Sequence, residues 1–218
     1  MAADRLDEVL DAAYTCLTRY GVRRTTVDDI AGVMGVSRSA VYQYVRGKDD
    51  AFQRLAERLH RQALARARLA ATAPGVPHAE RIRGVLAVKL DLALTLAGDS
   101  PHTAELLDGA ARLFAPACAD FGTGLRELLT GLFTGLFAEA DRAAQAGRTA
   151  QAGPASGTAR ASGADRAARV GPAEAADIAI ALVRGLEPAP HARDLLGPAA
   201  DALTTGLPHA RAQVETRT

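Results

Sequence analysis

The chain has 218 residues, a formal net charge of +1 and 48% hydrophobic residues. So balanced a charge excludes a generally basic coat for nucleic acids, and two cysteines without CxxC spacing exclude a disulfide framework. Acidic residues near the N-terminus argue against a signal peptide, and the longest apolar run, about Leu128–Ala138, is too short to span a bilayer, so we expect a soluble cytoplasmic protein.

The chain opens with a predicted helix whose apolar residues recur at helical spacing. They are Leu6, Val9, Leu10, Ala13, Leu17 and Tyr20. We expect this stripe to pack on the next two helices and to close a small three-helix core with Val27, Ile30, Met34, Val41 and Val45. Cys16 lies on the first helix, and we interpret it as a small buried apolar residue and not as a reactive thiol.

A second, short helix is predicted just after Thr25. Thr26 can cap it, and Asp29 three residues later completes a variant of the capping box. Val27, Ile30, Ala31 and Met34 give it one apolar face. Gly35 suits the left-handed residue that commonly ends a helix.

A third helix is predicted from Arg38 to about Val45, with Ser37 as its cap. Val41 and Val45 point to one side, where they can reach a core. The residues that point away from that core are Ser39, Tyr42, Gln43 and Arg46. Two short helices joined by a tight turn predict a helix-turn-helix, which places side chains in the DNA major groove.

The outward residues suit contacts with DNA. Arg38 can bond guanine and Gln43 adenine, through two hydrogen bonds each. Ser37, Ser39 and Tyr42 are suited to phosphate contacts, which position a protein without specifying sequence. The alternative is that this pair has no part in DNA binding, since amphipathic helices joined by glycine occur in many helical proteins.

Residues 9–52 resemble the N-terminal domain of the tetracycline-repressor (TetR) family. The motifs that carry the resemblance follow the family's order: Val9-Leu10-Asp11-Ala12-Ala13, Tyr20-Gly21, Thr25-Thr26-Val27 with Ile30-Ala31, Gly35-Val36-Ser37, Val41-Tyr42-Gln43-Tyr44-Val45 and Lys48-Asp49. Val45 stands where the family usually has Phe, and Gly47 where it usually has a polar residue. We interpret Val45 as a smaller core residue.

The resemblance implies an all-α protein with a helix-turn-helix DNA-binding domain followed by a helical bundle for ligand binding and dimerisation. The domains expected are a DNA-binding domain (1–48), a linking helix (49–70), an effector-binding bundle (71–146), a flexible loop (147–171), and dimerisation helices with a tail (172–218). The DNA contacts expected are Thr26, Ser37, Arg38, Ser39, Ala40, Tyr42, Gln43, Tyr44 and Lys48.

Further helices are predicted downstream, at 78 to about 97, at 103–114 and at about 116–145. Four of the five phenylalanines lie in the last two: Phe114, Phe121, Phe133 and Phe137. These side chains either fill a core or line a cavity for an apolar effector. Residues that could anchor such an effector, although a solvated or capping charge is the favoured interpretation of each, are Glu105, Asp108, Arg112, Cys118 and Arg126.

Residues 147–171 are low in complexity, and we expect a flexible loop there. Its arginines (148, 160, 166 and 169) either touch DNA phosphates or are simply solvated. Pro172 suits the first turn of an apolar helix. A final stripe from Leu195 to Leu207 is expected to be interrupted at Gly197-Pro198 and stopped by Gly206 and Pro208. In the family such a helix pair forms a four-helix dimer interface; an intramolecular core is the rival interpretation.

Catalytic signatures are missing from the sequence. The five histidines are scattered without HExxH spacing, and there is no GxGxxG, phosphate-binding loop or GxSxG. We therefore expect no enzyme, no cofactor and no metal. The predicted function is a homodimeric DNA-binding regulator, a repressor that binds a palindromic operator of double-stranded DNA and responds to a small apolar effector. The alternative is an α-helical dimeric module that binds small molecules or proteins and does not act on DNA.

Overall fold

The computed structural model describes residues 2–103, 113–151 and 170–215. Within these ranges the chain forms eight helices and no strands, which confirms the all-α prediction. They are α1 (Ala2–Arg24), α2 (Val27–Met34), α3 (Arg38–Val41), α4 (Lys48–Ala71), α5 (His78–Asp99), α6 (Ala115–Gln151), α7 (Pro172–Leu186) and α8 (Ala192–Glu215).

The chain divides into two compact units, each discontinuous in sequence. The first comprises residues 1–65 with 91–124, and the second comprises residues 66–90 with 125–218. The first unit therefore contains the predicted helix-turn-helix together with the end of α5 and the start of α6. The domain boundaries expected from the sequence stay a prediction.

The core of the first unit draws on more of the chain than the sequence suggested. Buried residues of α1 to α4 form it, and Leu96, Phe114 and Ala117 from later in the chain join them. Phe52, Leu17 and Ile30 are its largest fully buried side chains. The Ser100 hydroxyl adds a polar contact to the same unit, since it donates to the Thr18 carbonyl at 2.9 Å.

The stripe predicted for α1 is confirmed except at its end. Val9, Ala13 and Leu17 are fully buried, whereas Tyr20 is 43% exposed. The reason lies at Gly21, whose φ of 74° and ψ of 169° break the helix directly after Tyr20. A left-handed φ of this kind suits glycine. Cys16 is fully buried, as predicted.

The second unit packs the first part of α5, the later part of α6, and α7 and α8 around an aliphatic and aromatic interior. Ile82, Phe133 and Val183 are each fully buried within it. The Lys89 ammonium donates to a Glu187 carboxylate oxygen at 2.5 Å, and this pair links α5 to the end of α7. α7 begins at Pro172, in the first turn as predicted, and the Glu174 carboxylate accepts from the Gly171 amide at 2.6 Å.

The loop expected after α6 needs correction. The loop expected at 147–171 is wrong for its first five residues, because α6 continues to Gln151. Residues 152–169 lie outside the described residues, as do residues 104–112 of the helix predicted at 103–114. The arginines at 160, 166 and 169, and Glu105, Asp108 and Arg112, fall in those gaps.

The interruption and stop expected in the last helix are also wrong. α8 runs from Ala192 to Glu215 through both Pro198 and Pro208. A proline in a helix interior removes a backbone hydrogen bond and costs about 3 kcal/mol. The buried residues Leu196 and Ala200 lie on either side of Pro198, and we attribute the continuity of the helix there to their packing.

The turn between α2 and α3 is closed by Gly35. Its φ of 67° is left-handed, and its amide bonds back to carbonyls of α2. Space is not the constraint here, since a methyl group built on Gly35 or on Gly32 would meet nothing within 4 Å. The backbone conformation alone requires glycine at position 35, because a Cβ disfavours the left-handed region.

Gly35→Ala and Gly32→Ala therefore form a matched pair. Gly35→Ala is expected to lower the free energy of unfolding by about 1–2 kcal/mol through backbone strain. Gly32→Ala, inside α2, is expected to raise it by up to about 1 kcal/mol, because alanine loses less entropy than glycine on forming a helix. Urea denaturation followed by circular dichroism measures both. Equal effects of the two substitutions would show that the left-handed turn is not the constraint.

Candidate nucleic-acid interface

The recognition helix predicted from Arg38 to about Val45 is shorter as a regular α-helix. α3 spans Arg38–Val41 and is capped by Ser37, whose side chain accepts from the Ala40 amide. The chain then tightens, because the amides of Gln43 and Tyr44 bond three residues back, to Ala40 and Val41. The Val45 amide returns to a bond four residues back, so the helical path does reach Val45.

Two valines fix this helix to the core. Val41 is fully buried and Val45 is 2% exposed, as the spacing of four predicts. Burying each side chain contributes about 1.5–3 kcal/mol. Val45 thus fills the core position at which the sequence departs from the TetR pattern.

The opposite face of α3 is open to solvent. The predicted contact residues there fall into two groups by burial. Ala40 and Tyr44 are half-buried, and the exposed ones are Ser37, Arg38, Ser39, Tyr42 and Gln43. The hydroxyls of Ser37 and Ser39 lie 2.9 Å apart at the start of the helix. The structure thus brings the predicted base-reading and phosphate-contacting residues together on one exposed surface.

Arg38 is held in place by its neighbours. One guanidinium nitrogen bonds the Asp28 carboxylate at 3.1 Å, and another bonds the Tyr42 hydroxyl at 3.0 Å. The guanidinium carbon also lies 5.4 Å from the centre of the Tyr42 ring. The Tyr42 hydroxyl and then the Asp28 charge raise the pKa of Arg38, so its side chain stays cationic. Asp28 was not among the predicted site residues.

Thr26 caps α2 through a complete capping box. Its hydroxyl accepts from the Asp29 amide at 3.2 Å, and its own amide donates to the Asp29 carboxylate at 2.8 Å. The same hydroxyl donates to that carboxylate at 2.7 Å. These bonds lower the pKa of Asp29, the side-chain bond from Thr26 being the largest cause. The prediction that Thr26 caps α2 is confirmed, and the Thr26 side chain is exposed to solvent.

Lys48 has a structural contact that sequence patterns did not indicate. Its ammonium donates to the carbonyls of Val22 at 3.2 Å and Arg23 at 2.9 Å. Carbonyl groups at the end of a helix carry partial negative charge and attract cations. Lys48 thus joins the start of α4 to the end of α1, a long-range pairing that no local motif encodes.

A cleft of about 190 Å³ opens beside the recognition helix. It is lined by Arg5, Met34, Val36, Ala40, Gln43 and Tyr44. Arg5 was missed in the sequence, because it lies 35 residues from Ala40 and meets that surface only through the fold. The Arg5 guanidinium is paired with Glu8 at 2.7 Å.

The residues expected at an effector site lie in different surroundings, some buried and some exposed. Phe114, Phe121, Phe133 and Phe137 are all at most 8% exposed, so they pack in the interiors of their units. Arg126 forms a two-bonded ion pair with Asp177, at 2.6 and 2.9 Å, on an exposed surface. Cys118 lies 3.7 Å from His60. Among the described residues no group of three metal-ligating side chains occurs, and no helix there is long and apolar enough to cross a membrane.

Comparison with known proteins identifies the domain that carries this surface. Residues 9–55 match a sequence model of bacterial regulatory proteins of the tetR family. The N-terminal helix-turn-helix is a TetR-family DNA-binding domain. A comparison with curated protein sequences gives no significant match.

Solved structures share the fold of this chain. A protein from Pseudomonas aeruginosa PAO1 assigned to the transcriptional regulators has a TM-score of 0.70 at 17% identity, covering 98% of this chain and 95% of its own. The fatty acid degradation regulator FadR from Bacillus halodurans has a TM-score of 0.61 at 15% identity, with coverages of 92% and 94%. FadR from Bacillus subtilis in complex with stearoyl-CoA has a TM-score of 0.59 at 16% identity, with coverages of 91% and 97%.

The capping box at Thr26 gives a pH-dependent prediction. Because the pKa of Asp29 is lowered in the folded state, its contribution to stability is present above the ordinary carboxyl pKa of about 3.9. It is lost as the pH falls through the lower, folded-state value. Asp29→Asn is expected to cost at most about 1 kcal/mol at pH 7, since solvent screens the pair, and less at pH 3. Thermal unfolding at both pH values measures this.

Asp28→Asn is the matched control for that prediction, because Asp28 lies in the same first turn of α2 without bonding Thr26. A pH-dependent loss in Asp28→Asn equal to that in Asp29→Asn would indicate a general effect of charge and not the capping box.

Proposed function

We propose that the protein is a transcriptional repressor that binds a palindromic operator as a homodimer, in the cytoplasm where bacterial DNA lies. The observation that carries the proposal is the exposed surface of α3, on a TetR-family domain. The helix is fixed from behind by Val41 and Val45 and presents Arg38 and Gln43 to solvent. A recognition helix reads base edges with its N-terminal residues.

The residues of this surface take different roles in the proposal. Arg38 and Gln43 read bases, whereas Ser37, Ser39 and Tyr42 contact phosphates. Thr26, Ala40, Tyr44 and Lys48 line the same surface or its flanks. Lys48 approaches the DNA backbone while it holds the end of α1, since an ammonium group has three donors and two of them serve Val22 and Arg23.

The contacts of Arg38 with Asp28 and Tyr42 support a role in which Arg38 exchanges a protein partner for a DNA base. Both side chains of the Arg38–Asp28 pair are more than half exposed. An exposed ion pair contributes only about 0–1 kcal/mol, whereas a two-bonded contact to guanine discriminates by about 1–3 kcal/mol. Arg38 can therefore leave Asp28 for a base at little cost. Until then these contacts keep the guanidinium at the surface of α3.

Arg38→Ala and Gln43→Ala are each expected to weaken operator binding by about 1–3 kcal/mol and to relax the base preference at one position in each half-site. Gel shifts with DNA that flanks the protein's own gene measure the affinity. Gel shifts with single-base variants of the bound site measure the base preference. Arg61→Ala is the control, since Arg61 is an exposed arginine of α4 and its loss removes the same charge away from α3.

Two results would change these assignments. Equal loss on every DNA sequence would make Arg38 a phosphate contact. If no sequence-specific complex forms at moderate salt anywhere in the flanking DNA, the alternative of a helical module that does not act on DNA is favoured.

The dimer is proposed to form through α7 and α8, which pack against each other. Ile178 is 42% exposed and Leu195 is 44% exposed. Small exposed residues accompany them at helical spacing, and these are Ala181, Gly185, Ala202 and Gly206. Small residues allow helix backbones to approach closely, so the combined surface suits a second copy of the same helix pair.

Ile178→Glu and Leu195→Glu are each expected to convert the dimer into a monomer, because a buried unpaired carboxylate is costly. Size-exclusion chromatography with light scattering measures the mass against the 22.7 kDa of one chain. Leu69→Glu is the control, since Leu69 is 71% exposed on α4 and lies outside α7 and α8. A dimer that survives both substitutions would place the interface elsewhere.

We further propose that a small apolar effector controls DNA binding from the helices after α4. The proposal is supported by the aliphatic and aromatic interior of that region and by neighbours in fold that were solved with stearoyl-CoA and with triclosan. An effector shifts the equilibrium only by its difference in affinity for the DNA-binding and non-binding states. Gel shifts repeated with stearoyl-CoA or triclosan screen for that difference.

A further inference from the structure

The first unit contains a cysteine and a histidine in contact, outside the surface assigned to DNA. His60 lies on α4, and Cys118 lies in the first turns of α6. The Cys118 sulfur is 3.7 Å from His60 Nε2, within hydrogen-bonding reach for the large sulfur atom. The two residues are 58 positions apart in the sequence, so no local motif records their contact.

The surroundings of His60 fix the proton on one ring nitrogen. Nδ1 lies 2.8 Å from the Ala56 carbonyl, and a carbonyl only accepts, so Nδ1 carries the proton. Nε2 of the neutral ring therefore presents its lone pair to the Cys118 thiol. Burial is the largest influence on His60 and lowers its pKa, which keeps the ring neutral at neutral pH. The Phe121 ring packs against the imidazole edge-on, with 5.3 Å between ring centres.

Cys118 lies near the N-terminus of α6. It follows closely on Ala115, the first residue of α6, and its amide bonds the Phe114 carbonyl at 3.1 Å. The N-terminus of a helix carries partial positive charge, which stabilises a thiolate. Cys118 is also partly exposed, so a reagent can reach it.

Cys16 provides the contrast within the same unit. It is fully buried, and burial, followed by the charge of Asp29, raises its pKa, while Arg19 opposes the shift. Buried thiols of this kind are unreactive. The two cysteines of the chain thus differ in access, in helix position and in having a neighbouring base.

We propose that Cys118 is a reactive thiol, with His60 as its base, that takes uncharged electrophiles of the α,β-unsaturated carbonyl class. The thiol proton passes from sulfur to His60 Nε2. The sulfur then forms a bond to the β-carbon of the electrophile, the electron pair of the carbon–carbon double bond moves into the enolate, and the α-carbon takes a proton back from the imidazolium. No oxidant or reductant is needed. An uncharged reagent fits because Cys118 packs beside an apolar core.

An adduct at Cys118 reaches the DNA-binding domain through that core. Cys118 packs against the same cluster of buried residues that holds Val41 and Val45 of the recognition helix. Interiors are close-packed, so added atoms force neighbouring side chains to shift. Alkylation is therefore expected to weaken DNA binding, a consequence that rests on the proposed function.

Labelling with N-ethylmaleimide tests the chemistry on the full-length protein. Intact mass and peptide mapping are expected to give a first adduct on Cys118, formed at least about tenfold faster than on Cys16. In urea the two thiols are expected to react alike, a comparison that needs no variant. His60→Gln is expected to slow the native reaction of Cys118 by at least about tenfold, with folding checked by circular dichroism. The proposal that His60 activates Cys118 would be overturned if the two cysteines reacted at equal rates in the native protein. It would also be overturned if a folded His60→Gln protein reacted at the wild-type rate.

Gel shifts with treated protein test the consequence for DNA. Maleimide-treated wild type is expected to lose at least about tenfold in operator affinity, about 1.4 kcal/mol, while treated Cys118→Ser is expected to bind as before treatment. A complete adduct with unchanged DNA binding would overturn the regulatory consequence. Failure of the untreated protein to bind DNA would instead refute the proposed function, and the labelling rates would still decide the chemistry.

Discussion

The position of the recognition helix depends on the burial of two valines. A helix of four residues does not persist in water, because nucleation fixes several backbone angles before enough hydrogen bonds form. α3 has only Arg38–Val41 in regular helical geometry. It is held because Val41 and Val45 are inserted into a core shared by α1, α2 and α4. The outward side chains at the surface have defined positions only as long as this anchoring lasts.

The ends of the neighbouring helices complete that anchoring by local means. The capping box at Thr26 fixes where α2 begins, and the left-handed Gly35 fixes where it ends. Lys48 then joins α4 to the carbonyls at the end of α1. Each of these contacts contributes little free energy, yet each determines where a helix begins or ends, or how two helices are joined. Together they orient α3 more strictly than its own hydrogen bonds could.

The sequence predicted those parts of the structure that depend on near neighbours. Spacing of three and four placed Val41 and Val45 inside, and a threonine followed by an aspartate three residues on identified the cap of α2. Contacts between distant residues were not predictable in this way. Lys48 with Val22, and Cys118 with His60, meet because of how helices pack, and no local pattern records that.

Residues that usually end a helix gave wrong predictions where side-chain packing maintains the helix. Pro198 and Pro208 ordinarily end a helix, yet α8 continues through both. Local propensity is a weak influence that tertiary contacts override. The helix α6 also continues to Gln151, past the start of the low-complexity segment at residue 147. Tyr20 shows the reverse case, since this apolar position of the α1 stripe becomes exposed where Gly21 interrupts the helix.

The core shared with Leu96, Phe114 and Ala117 has a consequence for how the protein is made. Ribosomes release the chain from its N-terminus, so the helix-turn-helix emerges well before these three residues exist. Its apolar surface next to them stays partly uncovered until Ala117 is added, about 70 residues after Lys48. Completion of the DNA-binding unit therefore waits for the beginning of α6. A truncated chain that ends after α4 would carry every recognition residue and still expose part of the surface on which their positions depend.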